Sequence, residues 1–149
     1  MVRLEHVNKY FNRRKKNEIH VINDTTLQME NKGLVALLGP SGCGKTTLLN
    51  VIGGLDKIGS GNIYINGEKL NGRRAGKIDQ IRNLNVGYIF QNYNLVSTLS
   101  VRENITLPLL LDGMQVDRKF LKEITESLKL TEKLDHMPHM LSGGQQQRV

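Results

Sequence analysis

The sequence has few of the residues that form disulfides and membrane spans. Tryptophan is absent, proline occurs three times, and Cys43 is the single cysteine among 149 residues. One cysteine cannot form an internal disulfide, which is typical of a protein from a reducing compartment. No stretch approaches the about 18 consecutive apolar residues of a membrane-spanning helix, and the N-terminus lacks the apolar region of a signal peptide. We therefore expect any membrane association to come through a partner.

The basic residues do not form the dense surface that nucleic-acid binding requires. The net charge is +7, but the lysines and arginines are spread along the chain. Their one dense cluster, at 13–16, lies in a polar stretch without aromatic residues between the charges. A solvated loop explains this cluster better than a nucleic-acid interface does. We therefore predict no nucleic-acid partner, and the length fits one domain with a sizeable core.

The segment 39–46, GPSGCGKT, matches the pattern G-x-x-x-x-G-K-S/T. Its glycines allow backbone conformations that a Cβ would forbid, so that successive N–H groups can turn towards phosphate oxygens. A helix that begins near Lys45 adds the positive end of its dipole. Lys45 can reach the β- and γ-phosphates, and the Thr46 hydroxyl can bind Mg²⁺. The segment predicts a site for a nucleoside triphosphate and its metal ion; Cys43 is best explained as a small loop residue, with a reactive thiol as the alternative.

The residues on either side of this loop support the prediction. Leu34–Leu38 is an uninterrupted apolar run, as expected for a strand that is buried on both faces. Residues 47–52 predict a helix that ends at Gly53 and Gly54. Strand, glycine loop and helix therefore follow one another in the order that a phosphate-binding loop requires.

The strand patterns predict two layers in the first part of the chain. Alternating side chains predict strands at Val2–Phe11 and Ile19–Met29, and Asn62–Glu68 indicates a strand that enters an Asn-Gly hairpin turn. A short polar helix is expected at Arg73–Arg82, followed by a buried strand at Val86–Phe90. We therefore expect an antiparallel β layer beside an α/β layer that contains the phosphate loop.

A helical block is predicted at 92–140. Ser100 and Glu103 form the pattern of a capping box, which opens a helix through Leu111. Pro108 should kink or interrupt that helix because it has no backbone N–H to donate.

Two further helix starts and a second glycine motif complete the chain. Asp117 predicts the cap of another helix, and Thr131 that of a third short turn. The chain then ends with LSGGQQQRV at 141–149. Ser142 is a good N-cap, and the glycines after it leave backbone N–H groups that can bind an anion. Local chemistry alone does not distinguish this site from an ordinary helix N-terminus.

Taken together, these motifs resemble the ATP-binding cassette (ABC) ATPases, whose signature is LSGGQ and whose phosphate loop is similar to the one at 39–46. The resemblance covers the whole chain, from the aromatic residues Tyr10 and Phe11 through Gln91, after a predicted strand, to the signature at 141–145. It implies an α/β fold with a phosphate-loop NTPase (RecA-like) core, an N-terminal antiparallel β subdomain and an inserted α-helical subdomain.

The resemblance also implies roles for individual residues. Phe11 matches the aromatic residue that stacks on adenine, with Tyr10 as a second candidate and a core strand residue as the alternative explanation. Lys45 and Gln91 match catalytic positions, and Thr46 and Gln91 match contacts to the metal ion. A polar strand end is the alternative explanation for Gln91. The residues assigned to ATP are Phe11, Gly39, Ser41, Gly42, Cys43, Gly44, Lys45, Thr46, Thr47, Ser142, Gly144 and Gln145.

The resemblance implies two protein partners. In this family the signature, here Ser142, Gly144 and Gln145, contacts the γ-phosphate of the ATP bound to the opposite subunit, so that two ATP-Mg²⁺ units lie within a head-to-tail dimer. The chain further resembles the group that serves lipoprotein release, macrolide efflux and antimicrobial-peptide resistance. Such ATPase subunits act in exporters with a transmembrane permease, at the cytoplasmic face of the cell membrane. The stretches that carry this second resemblance are 53–56, 90–95 and 99–104.

Two other functions are considered. A soluble ABC ATPase that acts on ribosomes or DNA would share these motifs, but usually has tandem cassettes or long coiled-coil insertions, and neither is visible in the sequence. A phosphate-loop kinase would have no reason to carry LSGGQ.

Family members continue past the signature into a Walker B aspartate and a catalytic glutamate. Asp112 does not replace them, because Gly113 follows it and it precedes the signature. We therefore expect a partial ABC domain without the C-terminal part of the core, which hydrolyses little or no ATP alone. Its expected parts are 1–91, with the β layer and phosphate loop, the helical subdomain at 92–140, and the signature at 141–149.

Overall fold

The computed structural model describes residues 1–149, except for the side chain of Ala75. It divides into two compact units, residues 1–88 and residues 89–149. The finer boundaries predicted at 91 and 140 stay predictions.

The first unit contains the predicted antiparallel layer. Its strands are β1 (Val2–Phe11), β2 (Ile19–Met29), β3 (Ser60–Ile65) and β4 (Glu68–Lys69). They form a four-stranded sheet in the order β2-β1-β3-β4, with antiparallel neighbours throughout. The β3–β4 turn is the predicted Asn-Gly hairpin, since Asn66 and Gly67 both have positive φ, as a type I′ turn requires.

Two helices cover the core of this unit. Helix α1 spans Lys45–Ile52 and ends at Gly53, as predicted, while α2 spans Ala75–Asn85 rather than 73–82. The buried core joins residues of β1, β2 and β3 to residues of α1 and α2. Its buried members are Leu4, Val7, Ile22, Val51, Ile63, Ile65, Leu70 and Ile81.

An ion pair with a buried lysine joins the sheet to the loop after α1. Lys9 is only 7% exposed, and its Nζ donates to Oδ1 of Asp56 at 2.5 Å and to the carbonyl of Lys57 at 2.7 Å. Both partners of the ammonium come from one loop, so these contacts fix the position of β1 relative to the end of α1. The same Nζ lies 4.8 Å from the ring centroid of Phe11, the predicted adenine-stacking residue.

The two predicted buried strands at Leu34–Leu38 and Val86–Phe90 are wrong for this chain. Neither segment is a strand, and Leu34 and Ile89 are 98% and 82% exposed. Hydrophobicity identifies a segment that can be buried, but a strand also needs a hydrogen-bonded neighbour. Among the described residues the sheet pairs only β1 to β4, so both runs leave apolar side chains on the surface.

The second unit is helical, as predicted. It contains α3 (Val101–Leu111), α4 (Arg118–Ser127) and α5 (Gly143–Gln146), with 3₁₀ turns at Thr131–Lys133 and Pro138–Met140. No helix in the described part of the chain is both long and apolar enough to cross a membrane.

The capping box at the start of α3 is confirmed. The Ser100 N–H donates to Oε2 of Glu103 at 2.7 Å, and the Glu103 N–H donates to Oγ of Ser100 at 3.3 Å. The backbone and hydroxyl hydrogen bonds from Ser100 lower the pKa of the Glu103 carboxyl. Pro108 does not interrupt the helix, which continues to Leu111. Three residues beyond the proline still complete the last turn.

The cap at Asp117 is also confirmed, and the one at Thr131 is wrong. Asp117 Oδ1 accepts from the N–H groups of Lys119 and Phe120 at 2.8 and 3.1 Å. Thr131 is instead the first residue of its 3₁₀ turn, with Leu130 in the cap position and no side-chain cap. A cap must precede the first residue of a helical turn. Thr131 is itself the first residue of this turn, so it cannot cap the turn.

Candidate functional site

The phosphate-loop segment ends in a helix start that no side chain caps. Gly42 and Gly44 have φ of +79° and +97°, which residues with a Cβ rarely adopt. Gly44 is the N-cap of α1, and no side-chain hydrogen bond satisfies the first amides of the helix. These N–H groups and the helix dipole favour an anion at this position.

Close packing explains two of the glycines further. A Cβ on Gly44 would come 2.8 Å from Cγ1 of Val21, a residue of β2. A Cβ on Gly39 would come 2.8 Å from Sγ of Cys43, on the opposite side of the loop. The loop is therefore tightly folded on itself and packed against β2, and the contact with Val21 is one that the sequence did not indicate.

The Lys45 side chain folds back into the loop. Its Nζ donates to the carbonyls of Gly39 and Pro40 at 2.9 and 2.7 Å and lies 3.7 Å from Sγ of Cys43. The cation is thus held beside the free amides at the start of α1. This places both kinds of group that bind phosphate, backbone N–H and ammonium, within one short segment.

The other predicted residues of this segment lie next to Lys45. Thr46 and Thr47 occupy the first turn of α1, with Thr46 exposed and Thr47 half-buried, and Ser41 is exposed. A cavity of about 140 Å³ lies between this segment and β2. A larger cavity of about 510 Å³ in the same unit contains none of the predicted site residues. The candidate site is therefore identified by its phosphate-binding groups and not by the size of its cavity.

The two candidate stacking residues differ in how the protein uses them. The Tyr10 ring stacks on His20, with centroids 4.1 Å apart, and the Arg13 guanidinium lies 5.0 Å from its centroid. Phe11 is 40% exposed at the end of β1, with the Lys9 ammonium near its ring. The Tyr10 ring is therefore occupied by contacts within the protein, whereas the exposed Phe11 ring is available to stack on a ligand.

The signature motif forms the expected helix start in the second unit. Ser142 is the N-cap of α5, and its Oγ accepts from the Gln145 N–H at 3.3 Å. Oε1 of Gln145 accepts in turn from the Ser142 N–H at 2.8 Å. Gln145, predicted as an ATP contact, thus completes a capping box. The spacing S-x-x-Q is the sequence signal for this capping box, which was not predicted.

The structure groups the predicted residues by unit. Phe11 and residues 39–47 belong to the first unit, while Gln91, Ser142, Gly144 and Gln145 belong to the second. Gln91 lies exposed in a turn, and Gly144 is exposed in α5.

A family model described as "ABC transporter" matches residues 22–149. This chain belongs to the ABC transporter family. Its ABC ATP-binding fold, predicted from the two glycine motifs, is thereby confirmed.

Relatives of this ABC chain include two of the predicted export groups. It is 38% identical to the macrolide export ATP-binding/permease protein MacB of Aggregatibacter actinomycetemcomitans, over the whole chain and 23% of the relative. It is 39% identical to the lipoprotein-releasing system ATP-binding protein LolD of Francisella tularensis, over 90% of the chain and 59% of the relative. The chain therefore spans only part of the length of either relative.

Solved ABC structures share the fold. The chain is similar to a dimeric structure of MJ0796, a bacterial ABC transporter cassette, with 35% identity and a TM-score of 0.87, over 99% of this chain and 66% of the other. A second structure of MJ0796, in a post-hydrolysis state bound to ADP and Pi, has a TM-score of 0.87 and 34% identity.

Proposed function

We propose that this chain binds ATP with Mg²⁺ and is the nucleotide-binding part of an ABC exporter, in which ATP-driven dimerisation and hydrolysis power transport. The observation that carries the proposal is the phosphate loop. Its uncapped helix start and the inward-folded Lys45 ammonium provide an anion site at the beginning of α1. The ABC signature in the same chain selects this family among nucleotide-binding proteins.

The loop residues fit a triphosphate and its metal ion. Lys45 exchanges its hydrogen bonds to loop carbonyls for bonds to the β- and γ-phosphates, and the amides of Gly42 and Gly44 surround the same oxygens. The exposed hydroxyl of Thr46 binds Mg²⁺, for which Gln91 is the second predicted contact. Bound Mg²⁺ neutralises charge that develops on the phosphates during transfer. Ser41 and Cys43 contribute mainly through their position in the loop, and Thr47 through its position in the first turn of α1.

A second copy of the chain completes each site. The Ser142 hydroxyl and the Gly144 amide close on the γ-phosphate of the ATP that the other copy holds in its loop. Gln145 supports this turn through its hydrogen bonds to Ser142. The dimeric solved structures of MJ0796, a relative with the same fold, support a dimer, and its head-to-tail arrangement is part of the proposal.

A permease is the second partner in this proposal. The named relatives act in macrolide export and lipoprotein release, which supports an exporter over a soluble ABC ATPase of ribosomes or DNA. The chain would then lie at the cytoplasmic face of the membrane and contact the bilayer only through the permease. The exported substrate would be determined by that permease. Co-purification of a polytopic membrane protein with the intact protein supports this assignment, and co-purification with ribosomes contradicts it.

Replacing Phe11 by alanine tests the nucleotide site. We expect ATP affinity to fall about tenfold, because base stacking on an aromatic ring contributes about 1–3 kcal/mol. Tyr10→Ala should leave ATP affinity within about twofold, because that ring stacks on His20 instead. Equilibrium titration with a fluorescent ATP analogue, displaced by ATP, measures both. Equal losses in the two variants, or a loss only in Tyr10→Ala, would contradict the assignment of Phe11.

We further propose that a polypeptide of residues 1–149 binds ATP but hydrolyses little or none. Phosphoryl transfer needs a carboxylate that holds the metal ion and a group that positions water. No carboxylate of this polypeptide takes either place by resemblance, so turnover should fall by about three orders of magnitude or more. Phosphate release at saturating ATP measures this. Steady turnover that Lys45→Ala abolishes would show that these residues suffice.

A further inference from the structure

Tyr93 lies against the first residue of the signature helix. A Cβ added to Gly143 would come 2.9 Å from the Tyr93 hydroxyl oxygen and 3.9 Å from its ring carbon Cζ. Gly143 opens α5 directly after the Ser142 cap, and both residues belong to the second unit. The end of the tyrosine side chain therefore lies next to Gly143, so close that a Cβ there would require the side-chain end or the turn to shift.

The backbone around Tyr93 holds an uncommon conformation. Tyr93 and Asn94 have φ of +59° and +55°, in the left-handed region that asparagine tolerates but tyrosine seldom adopts. Their turn is closed by hydrogen bonds from the Tyr93 N–H to the Phe90 carbonyl, at 3.4 Å, and from the Asn94 N–H to the Asn92 carbonyl, at 2.5 Å. Such strain persists where the surrounding contacts fix it. The direction of the Tyr93 ring is thus set by the segment that directly follows Gln91.

We propose that Tyr93 is a positioning residue that couples the segment 91–94 to the signature turn. The proposal rests on the proposed function, in which Gln91 meets the metal ion and Ser142 closes the site of a second copy. Tyr93 is not among the residues assigned to ATP or to the metal ion. A shift of segment 91–94 moves the ring, and the ring displaces Gly143 and with it the neighbouring Ser142. Through this one contact, the position of the signature turn depends on whether Gln91 has met the metal ion.

A pair of substitutions with opposite steric effects tests this coupling. Gly143→Ala brings a methyl group against the Tyr93 hydroxyl, so the tyrosine side-chain end or the signature turn must shift. Tyr93→Phe removes that oxygen, and the methyl then meets Cζ at 3.9 Å, an ordinary contact. In the intact protein that carries this chain, we expect Gly143→Ala to weaken ATP-driven dimerisation about tenfold. The double variant Tyr93→Phe/Gly143→Ala should recover to within about twofold of the wild type.

Gly144 supplies the matched control. A Cβ there meets only Arg148 Nη1, at 4.0 Å, so Gly144→Ala does not press on Tyr93. Whatever loss Gly144→Ala causes, Tyr93→Phe should not restore it. Restoration in both backgrounds would show that Tyr93→Phe acts generally and would overturn the proposed contact.

Amide hydrogen exchange at 142–146 without nucleotide measures the contact between Tyr93 and Gly143 independently of dimerisation. Exchange should rise in Gly143→Ala and return to the wild-type rate in the double variant. If wild-type protein binds ATP and dimerises but the double variant recovers neither dimerisation nor exchange, the coupling is wrong and the proposed function stands. If the wild type does not bind ATP, the proposed function fails. Equal exchange in all three proteins would then reject the contact as well, whereas a restored rate would support it.

Discussion

Replacing Lys45 by alanine will reduce ATP affinity about 100-fold or more. The ammonium lies inside the loop, within hydrogen-bonding distance of the Gly39 and Pro40 carbonyls, and is the charge placed to meet the β- and γ-phosphates. Hydrogen bonds to charged groups contribute about 1.5–3 kcal/mol each, and two of them correspond to at least a hundredfold in affinity. Calorimetric titration of the protein with ATP and Mg²⁺ measures the loss.

Lys32→Ala is the matched control for this substitution. Lys32 is an exposed residue of the turn after β2, and its replacement removes the same positive charge. We expect its ATP affinity to stay within about twofold of the wild type, because exposed charges at a distance are screened by salt. Equal affinities of wild type and Lys45→Ala would show that ATP, if bound, lies elsewhere. Equal losses of ATP affinity in both variants would show that the net charge of the chain, and not the position of Lys45, causes the loss.

Replacing Gly61 by alanine will lower the free energy of unfolding by about 3–4 kcal/mol. Gly61 has φ of +92°, and a Cβ there would overlap the carbonyl oxygen of His6 and lie 2.6 Å from that of Glu5. These are backbone atoms at a register shift between β1 and β3, where His6 itself has positive φ. The left-handed conformation costs a non-glycine residue about 1–2 kcal/mol, and forced overlap in a packed site typically adds about 1–3 kcal/mol.

Gly67→Ala separates these two contributions. Gly67 has a similar φ of +84°, but a Cβ there meets nothing within 4 Å. We expect it to cost only the conformational term, about 1–2 kcal/mol. Urea denaturation of the two variants and the wild type measures the difference. Equal destabilisation would show that β1 and β3 can separate at this point without cost, contrary to the close approach described above.

Features set by neighbouring residues could be predicted from the sequence. The Asn-Gly turn, the caps at Ser100 and Asp117, and the end of α1 at Gly53 depend on side chains and backbone a few positions apart. The phosphate loop and the signature were found for the same reason. Thr131 is the local exception, since the helix context around it outweighed its own preference, and Pro108 does not interrupt α3.

Features that depend on distant partners could not be predicted. The runs at 34–38 and 86–90 have the composition of buried strands, but pairing is not encoded within them, and both lie outside the sheet. The packing of Val21 on Gly44 and the ion pair between Lys9 and Asp56 join residues far apart in sequence. No periodicity marks such contacts, because each depends on how whole elements pack.

The most direct test of the two-copy site mixes two defective copies of the intact protein. Lys45→Ala lacks a working phosphate loop, and Ser142→Phe lacks a working signature turn. A non-hydrolysable ATP analogue with Mg²⁺ should leave each variant monomeric by sedimentation velocity. The mixture should form a heterodimer with one bound nucleotide, because the loop of one copy and the signature of the other make a single intact site. A mixture that stays monomeric while the wild type dimerises, or dimers formed by either variant alone, would contradict a site shared between Lys45 and Ser142 of two copies.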